Sequence, residues 1–268
     1  MQSAGPGDSP VRVGTMLYTQ VDPERGCEVA YNRWYERDHF YAGCMIGPGF
    51  FAGRRWVATG ELKSLRLPHG ETTFCAPVTA GSYLAIYWVL EGMQEENLRW
   101  GTDQVNWLYA NNRGFPRRVH AHTGMYDVAA RWYRDADPVP LELALDHEQY
   151  VGMVSLAIQP GAASSSHDVL SWLDANLPGF LAGSPVASVS AWANRPLLSD
   201  APSFLPADPD AASRVLQLYF LESAPAAAWP GVEAWCQRID ASGVGTVSFA
   251  GPWVPTVVGT DTYTDQLW

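Results

Sequence analysis

The apolar positions of this chain change period repeatedly, from two to roughly four and back, and each change suggests an element boundary. Val11 to Val21 (VRVGTMLYTQV) mixes β-branched and aromatic residues and predicts a strand. Asp22-Pro23-Glu24 reads as a helix start, with an Asp cap and Pro in the first turn, and the helix is expected to run to about Tyr41. Phe50 to Thr59 predicts a strand, and Gly60 to Ala80 a long polar loop. Ser82 to Glu91 (SYLAIYWVLE) predicts an apolar strand, Met93 to Asn112 a helix, and Arg118 to Tyr133 a strand. An acidic, Pro-containing stretch, Asp135 to Glu148, follows. The order then returns: strand Tyr150 to Gln159, helix Ser164 to Asn176, strand Ser184 to Asn194, and Pro-rich loop Arg195 to Ala212. Strand Arg214 to Glu222, helix Pro230 to Ala241 and a broken strand Val244 to Val258 complete it.

Two local echoes support duplication. Pro48-Gly49-Phe50-Phe51-Ala52-Gly53 matches Pro178-Gly179-Phe180-Leu181-Ala182-Gly183 in all but one position. Leu84, Tyr87 and Trp88 fall on Leu216, Tyr219 and Phe220. Each half reads β-α-β-β-α-β, the ferredoxin-like unit. The prediction is an α+β fold of two tandem repeats, 1–134 and 150–268, joined by a linker, 135–149. Helices cover one face of each sheet, so the other apolar face needs a partner. Two copies satisfy each other sheet to sheet, as an intramolecular α/β barrel. That leaves both a monomer and a homodimer open.

Composition narrows the functions. A net charge of −11 over 268 residues, with no basic run, argues against nucleic acid and against an anionic membrane surface. No stretch is apolar enough to span a bilayer. Residues 1–10 read as a frayed Gly-, Pro- and Ser-rich tail without the apolar centre of a signal peptide, so a cytoplasmic location is expected. The four cysteines lack C-x-x-C spacing and are expected to be buried free thiols. No phosphate-binding glycine loop, nucleophile elbow or zincin motif is present.

The candidate chemistry gathers around Tyr31 to Trp56. Asp38-His39 closes an aromatic helix before a glycine-rich turn. Histidine titrates near neutrality and suits general acid or base work, although the helix dipole alone can favour one there. Arg54 and Arg55 alternate across the next strand, so one side chain faces each way, and an inward one could hold a carboxylate or enolate oxygen. A surface ion pair is the plainer use of either. His120 and His122, spaced i,i+2, are expected on one strand face. The catalytic candidates are therefore His39, Asp38, Arg54, Arg55 and His122. Trp34, Tyr35, Tyr41, Trp56, Tyr87, Trp100 and His120 are candidates for a substrate pocket, with core packing as the alternative for the aromatics. No spacing supplies a third metal ligand, so no metal is expected. The loops 60–80 and 195–212 are candidate lids.

Asn32-Arg33-Trp34-Tyr35, then His39 and a Pro48-Gly49-Phe50 strand start, resembles the dimeric α/β-barrel superfamily in a fused two-repeat form. That superfamily includes EthD-like proteins, antibiotic-biosynthesis monooxygenases, polyketide cyclases and muconolactone isomerases. The resemblance implies a pocket-facing histidine at the end of the first helix, here His39. It implies one such site per chain, because Leu177 stands five residues after Trp172, where a second histidine would fall. The function expected is a cofactor-independent acid/base enzyme of isomerase, cyclase, dehydratase or decarboxylase type, with no cofactor. Its substrate would be a small hydrophobic, ring-containing or polyketide-like metabolite. A cofactor-free monooxygenase and a non-catalytic binding protein for a hydrophobic metabolite are the alternatives.

Overall fold

The computed structural model describes residues 11–70 and 72–268. The stretch 1–10 read above as a tail lies outside the described residues. Eight antiparallel strands close into a barrel: β1 (Val13–Pro23), β2 (Phe50–Val57), β3 (Tyr83–Leu90), β4 (Arg118–Tyr133), β5 (Gly152–Pro160), β6 (Val186–Arg195), β7 (Val215–Leu221) and β8 (Gly245–Pro255). Their order around the barrel is β1-β3-β2-β8-β5-β7-β6-β4. Each half of the chain thus contributes four adjacent strands. The seams differ: β4 pairs with β6 from Met125↔Arg195 to Tyr133↔Ser188, whereas β2 meets β8 only at Trp56↔Pro255 and Val57↔Val254.

Alternation along each strand sends one set of side chains inward and the other out. The barrel interior is filled by aromatics, among them Trp56, Trp88, Trp192, Trp253, Phe220 and Phe249. Trp88 and Trp192 stack across it with ring centroids 5.1 Å apart. The outward faces are covered by α1 (Glu28–Trp34) and α3 (Gln94–Ala110) on the first half, and by α4 (Ser166–Leu181) and α5 (Pro225–Ser242) on the second. A short helix, α2 (Gly60–Ser64), interrupts the expected 60–80 loop. Residues 135–149 are no free tether, because Leu141, Ala144 and Leu145 are buried in the barrel core.

Several local expectations are corrected. Asp22 caps no helix; β1 runs on to Pro23, and the Asp22 carboxylate accepts from the N–H groups of Gly81 and Ser82 instead. The first helix does not stop near Tyr41 but continues as wide π-helical turns, Tyr35–His39 and Tyr41–Met45. The two matching hexamers are not structural equivalents. Pro48–Gly53 makes a turn and enters β2, whereas Pro178 lies inside α4. Leu84, Tyr87, Trp88 and Leu216, Tyr219, Phe220 do occupy the same positions of β3 and β7.

Candidate active site

The widened helix is the device that aims the first-half site. In an α-helix each residue turns about 100°, so every fourth residue drifts by about 40°. Tyr31, Tyr35, His39 and Gly43 are spaced by four, and all four are buried. The π turns hold the later members of that series against the sheet. Wide turns of this kind recur at functional sites.

Behind His39 lies a cavity of about 110 Å³ between the outer face of β1 and β4 and the helices above. β1 supplies Leu17 and Thr19, and β4 supplies Arg118, His120, Thr123 and Met125. The face of α3 carrying Asn97, Leu98, Gly101, Thr102 and Val105 makes one wall. The second half closes it with Leu197, Ala201, Pro202, Phe204 and Leu205, from the loop expected as a lid. Phe204 packs on Tyr109 at 4.8 Å and on His120 at 5.2 Å. Arg99 and Asp200 pair at 2.9 Å and tie that loop to α3.

His39 is 7% exposed. Its ring stacks on Trp34, with centroids 4.4 Å apart, and meets the Tyr35 ring edge-on at 5.1 Å. Its Nδ1 is buried without a hydrogen-bond partner. A Cβ on Gly43 would stand 2.7 Å from Cε1 and 2.8 Å from Nδ1, so only glycine admits the ring in this place. Burial, reinforced by the positive charge of Arg118 and by His120, pulls His39 well below the usual imidazole range. His120 is pulled down to about 3, chiefly by burial and then by Arg118. Its Nδ1 lies 2.8 Å from the Thr123 hydroxyl, and its Nε2 has no partner. Near neutral pH the cavity therefore holds two uncharged imidazoles, each with an unused ring nitrogen. A buried polar atom without a partner costs free energy, which a ligand can recover.

Three of the residues expected to act here, His39, Tyr35 and His120, line the cavity, and Trp34 backs the His39 ring. The others lie elsewhere. Asp38 pairs with Arg113 and does not line the cavity. Arg54 and Arg55 do alternate, but neither lines the cavity. Arg54 donates to the carbonyls of Leu145 and His147 and lies over Trp56. Arg55 sits under α1 among Tyr35 and Tyr83, bonded to Asn32 and Glu36. Tyr41 is exposed, and Trp56 belongs to the barrel interior. Tyr87 is buried beneath the cavity and bonds the Tyr35 hydroxyl at 2.9 Å, and Trp100 packs by Phe50.

His120 and His122 are not on one face. The β1–β4 register shifts, with Val21 opposite His120 but Gln20 opposite His122, so Ala121 is an extra residue in a bulge. The bulge leaves His120 outside and turns His122 into the barrel. There His122 lies 3.0 Å from the Phe74 carbonyl and 2.5 Å from the Tyr126 hydroxyl. It borders a second opening of about 240 Å³ at the barrel end. Among the described residues no group of three or more His, Cys, Asp or Glu is placed to hold a metal ion.

Arg118 was missed. Its signal was present, because it precedes His120 by two residues and so shares its strand face. Thr19, Thr123 and Asn97 carried no motif at all.

No family of known sequences matches the chain, and no curated protein does. Solved structures do. An anthrone oxidase-like protein aligns with a TM-score of 0.54 at 9% identity, over 94% of this chain and 98% of its own. The likeness is one of fold. A provisionally named monooxygenase from Fusobacterium nucleatum aligns at 0.45 and 6% identity, over 92% of this chain and 93% of its own. The encapsulated DyP-type peroxidase of Mycobacterium smegmatis aligns at 0.45 and 12%, over 97% and 96%. The chain has a ferredoxin-like double-repeat fold whose two four-stranded halves close one barrel. No described helix is long and apolar enough to cross a membrane.

Proposed function

We propose that the chain is an acid/base enzyme in which His39 removes a proton from a small hydrophobic ring compound, without help from a cofactor. The observation that carries this reading is a buried, uncharged imidazole with an unpartnered ring nitrogen in an apolar cavity. An imidazole held neutral is ready to accept a proton at ordinary pH. The desolvation that keeps it neutral also makes the imidazolium costly, unless negative charge forms beside it. Proton abstraction from the substrate creates that charge in the same step, so the two charges stabilise each other where the dielectric is low. Arg118 adds a fixed positive charge. The hydroxyls of Thr19 and Thr123, with His120, offer hydrogen bonds across the cavity from α3. The repeat carrying the site, 1–134, and the repeat closing it, 150–268, then have different tasks. This reading puts the chain with the EthD-like and antibiotic-biosynthesis-monooxygenase-like barrels.

The test is deuterium incorporation from heavy water into a panel of enolisable ring ketones and phenols, followed by NMR. Wild-type protein should accelerate exchange for at least one member, and His39→Ala should not. Exchange no faster with wild type than with His39→Ala across the panel would overturn the reading. A monooxygenase shares the deprotonation step, and the name of the anthrone oxidase-like neighbour favours keeping it as a second reading. Incorporation of label from ¹⁸O₂ separates the two. Binding without exchange or oxygenation would instead support a carrier.

A further inference from the structure

The charges around the first-half cavity are of one sign. Its lining holds no Asp or Glu, yet it includes Arg118. Many arginines elsewhere find acids, Arg113 with Asp38, Arg99 with Asp103, Arg195 with Asp127, Arg131 with Glu142 and Arg214 with Asp208, while Arg54 and Arg66 are saturated by backbone carbonyls. Arg118 has no carboxylate partner among the described residues, in a chain whose net charge is −11. Its Nε and Nη2 both donate to one acceptor, the Tyr109 hydroxyl, at 3.2 and 2.8 Å. The guanidinium lies 4.9 Å over the Trp34 ring, whose indole also stacks on His39. One edge of the fork is thus anchored to a neutral group. The only other side chain the guanidinium hydrogen-bonds is again neutral, the Tyr31 hydroxyl, so no carboxylate occupies the edge between Nη1 and Nη2 among the described residues, and two parallel N–H donors on such an edge match a carboxylate.

The apolar remainder of the cavity sets the size. A void of about 150 Å³ lined by aliphatic and aromatic side chains takes up benzene. This cavity, at about 110 Å³ and walled by Leu17, Phe50, Leu98, Val105 and Met125, suits one ring rather than a fused system. We infer that the ligand is a monocyclic carboxylate, its ring among those apolar side chains and its carboxylate on Arg118 beside His39 and His120. The inference rests on the proton-transfer reading only for what happens next; the binding preference stands by itself. It also assigns Arg118 a binding role that neither Arg54 nor Arg55 can fill, since both are engaged outside the cavity.

Benzoate and benzamide have the same ring and differ in charge, so they make the test. Isothermal titration of the whole chain should show benzoate bound tighter than benzamide by about tenfold or more, the scale of one hydrogen bond to a charged group. Arg118→Gln should remove that preference, and Arg118→Lys should restore part of it. His39→Gln should keep the preference while losing deuterium exchange. Equal affinity for the two probes, no benzoate binding at millimolar concentration, or a preference that survives in Arg118→Gln would each overturn the inference. The wild-type comparison decides even if the Arg118 variants do not fold. Loss of the preference with His39-dependent exchange intact would sink the carboxylate and leave the proton-transfer reading. Intact preference without exchange would do the reverse.

Discussion

The two helical layers of this barrel start from the same plan and end differently. Over the second half, α4 and α5 lay Leu173, Leu177, Leu181, Trp235 and Ile239 onto Val154, Leu156 and Ile158, all buried. The helix is regular, with a capping box in which Ser165 and Asp168 bond reciprocally. Over the first half, the corresponding helix widens into π turns that carry a buried histidine, His39, and a cavity stays open. The packed half spends its apolar surface on stability. The open half leaves imidazole nitrogens unsatisfied and borrows its fourth wall from the other half's loop. Duplication thus lets one repeat be a scaffold while the other departs from close packing.

The largest way to break this contrast is to make the open half resemble the packed one. His39→Leu should lower proton-transfer turnover by about 100- to 10,000-fold, the usual worth of a placed acid or base. Unfolding by urea should show stability retained or raised, because a buried unpaired nitrogen has gone. Gly43→Ala should come next. Its methyl must displace the His39 ring, so activity should fall steeply while circular dichroism stays native. The same kind of cut in the packed half should act on stability instead. Leu177→Ala removes a fully buried side chain and should cost about 2–5 kcal/mol in denaturant titration, leaving ligand binding in place.

Acid should also tell the halves apart. His120 and His122 fall to about 3, and His39 is lowered too, so the fold keeps them neutral. Below about pH 6.5 the unfolded chain takes up protons that the folded chain refuses. Stability is therefore whole above that pH and declines as pH falls toward about 3, where His120 and His122 protonate in the fold. His122→Gln should flatten this decline in a series of denaturant titrations, and a decline unchanged in that variant would reject the assignment. The smallest effect belongs to the loop of residues 195–212 that closes the cavity. Asp200→Asn breaks an exposed pair with Arg99 and should leave thermal stability unchanged, while weakening ligand retention if the loop's position matters.

The strands were legible from residues 11 to 258 because apolar alternation and β-branched content mark them locally. The pocket histidine was legible because an aromatic helical run through His39 before Gly47-Pro48-Gly49 is a local pattern with a known superfamily resemblance. The wide turns were invisible, since nothing in Tyr35 to Met45 declares an i→i+5 hydrogen bond in place of i→i+4. The separation of His120 from His122 was invisible for a related reason. One extra residue, Ala121, reverses the strand's alternation, and a bulge is set by pairing with β1 rather than by the bulged residues themselves. The PGF echo misled because nearly the same six residues can turn into a strand or end a helix, as neighbours decide.

By itself the chain determined its element order, its two-part repetition and its apolar strand faces, because these follow from local stereochemistry and from burying apolar surface. Only the closed barrel decided which of its charged and aromatic residues meet. It drew Arg54 to the linker, Arg55 under α1 and His122 into the interior. It left Arg118 with His39 and His120 under a loop from the far half. Those choices depend on strand register and on contacts between residues about a hundred positions apart, and no local pattern carries them.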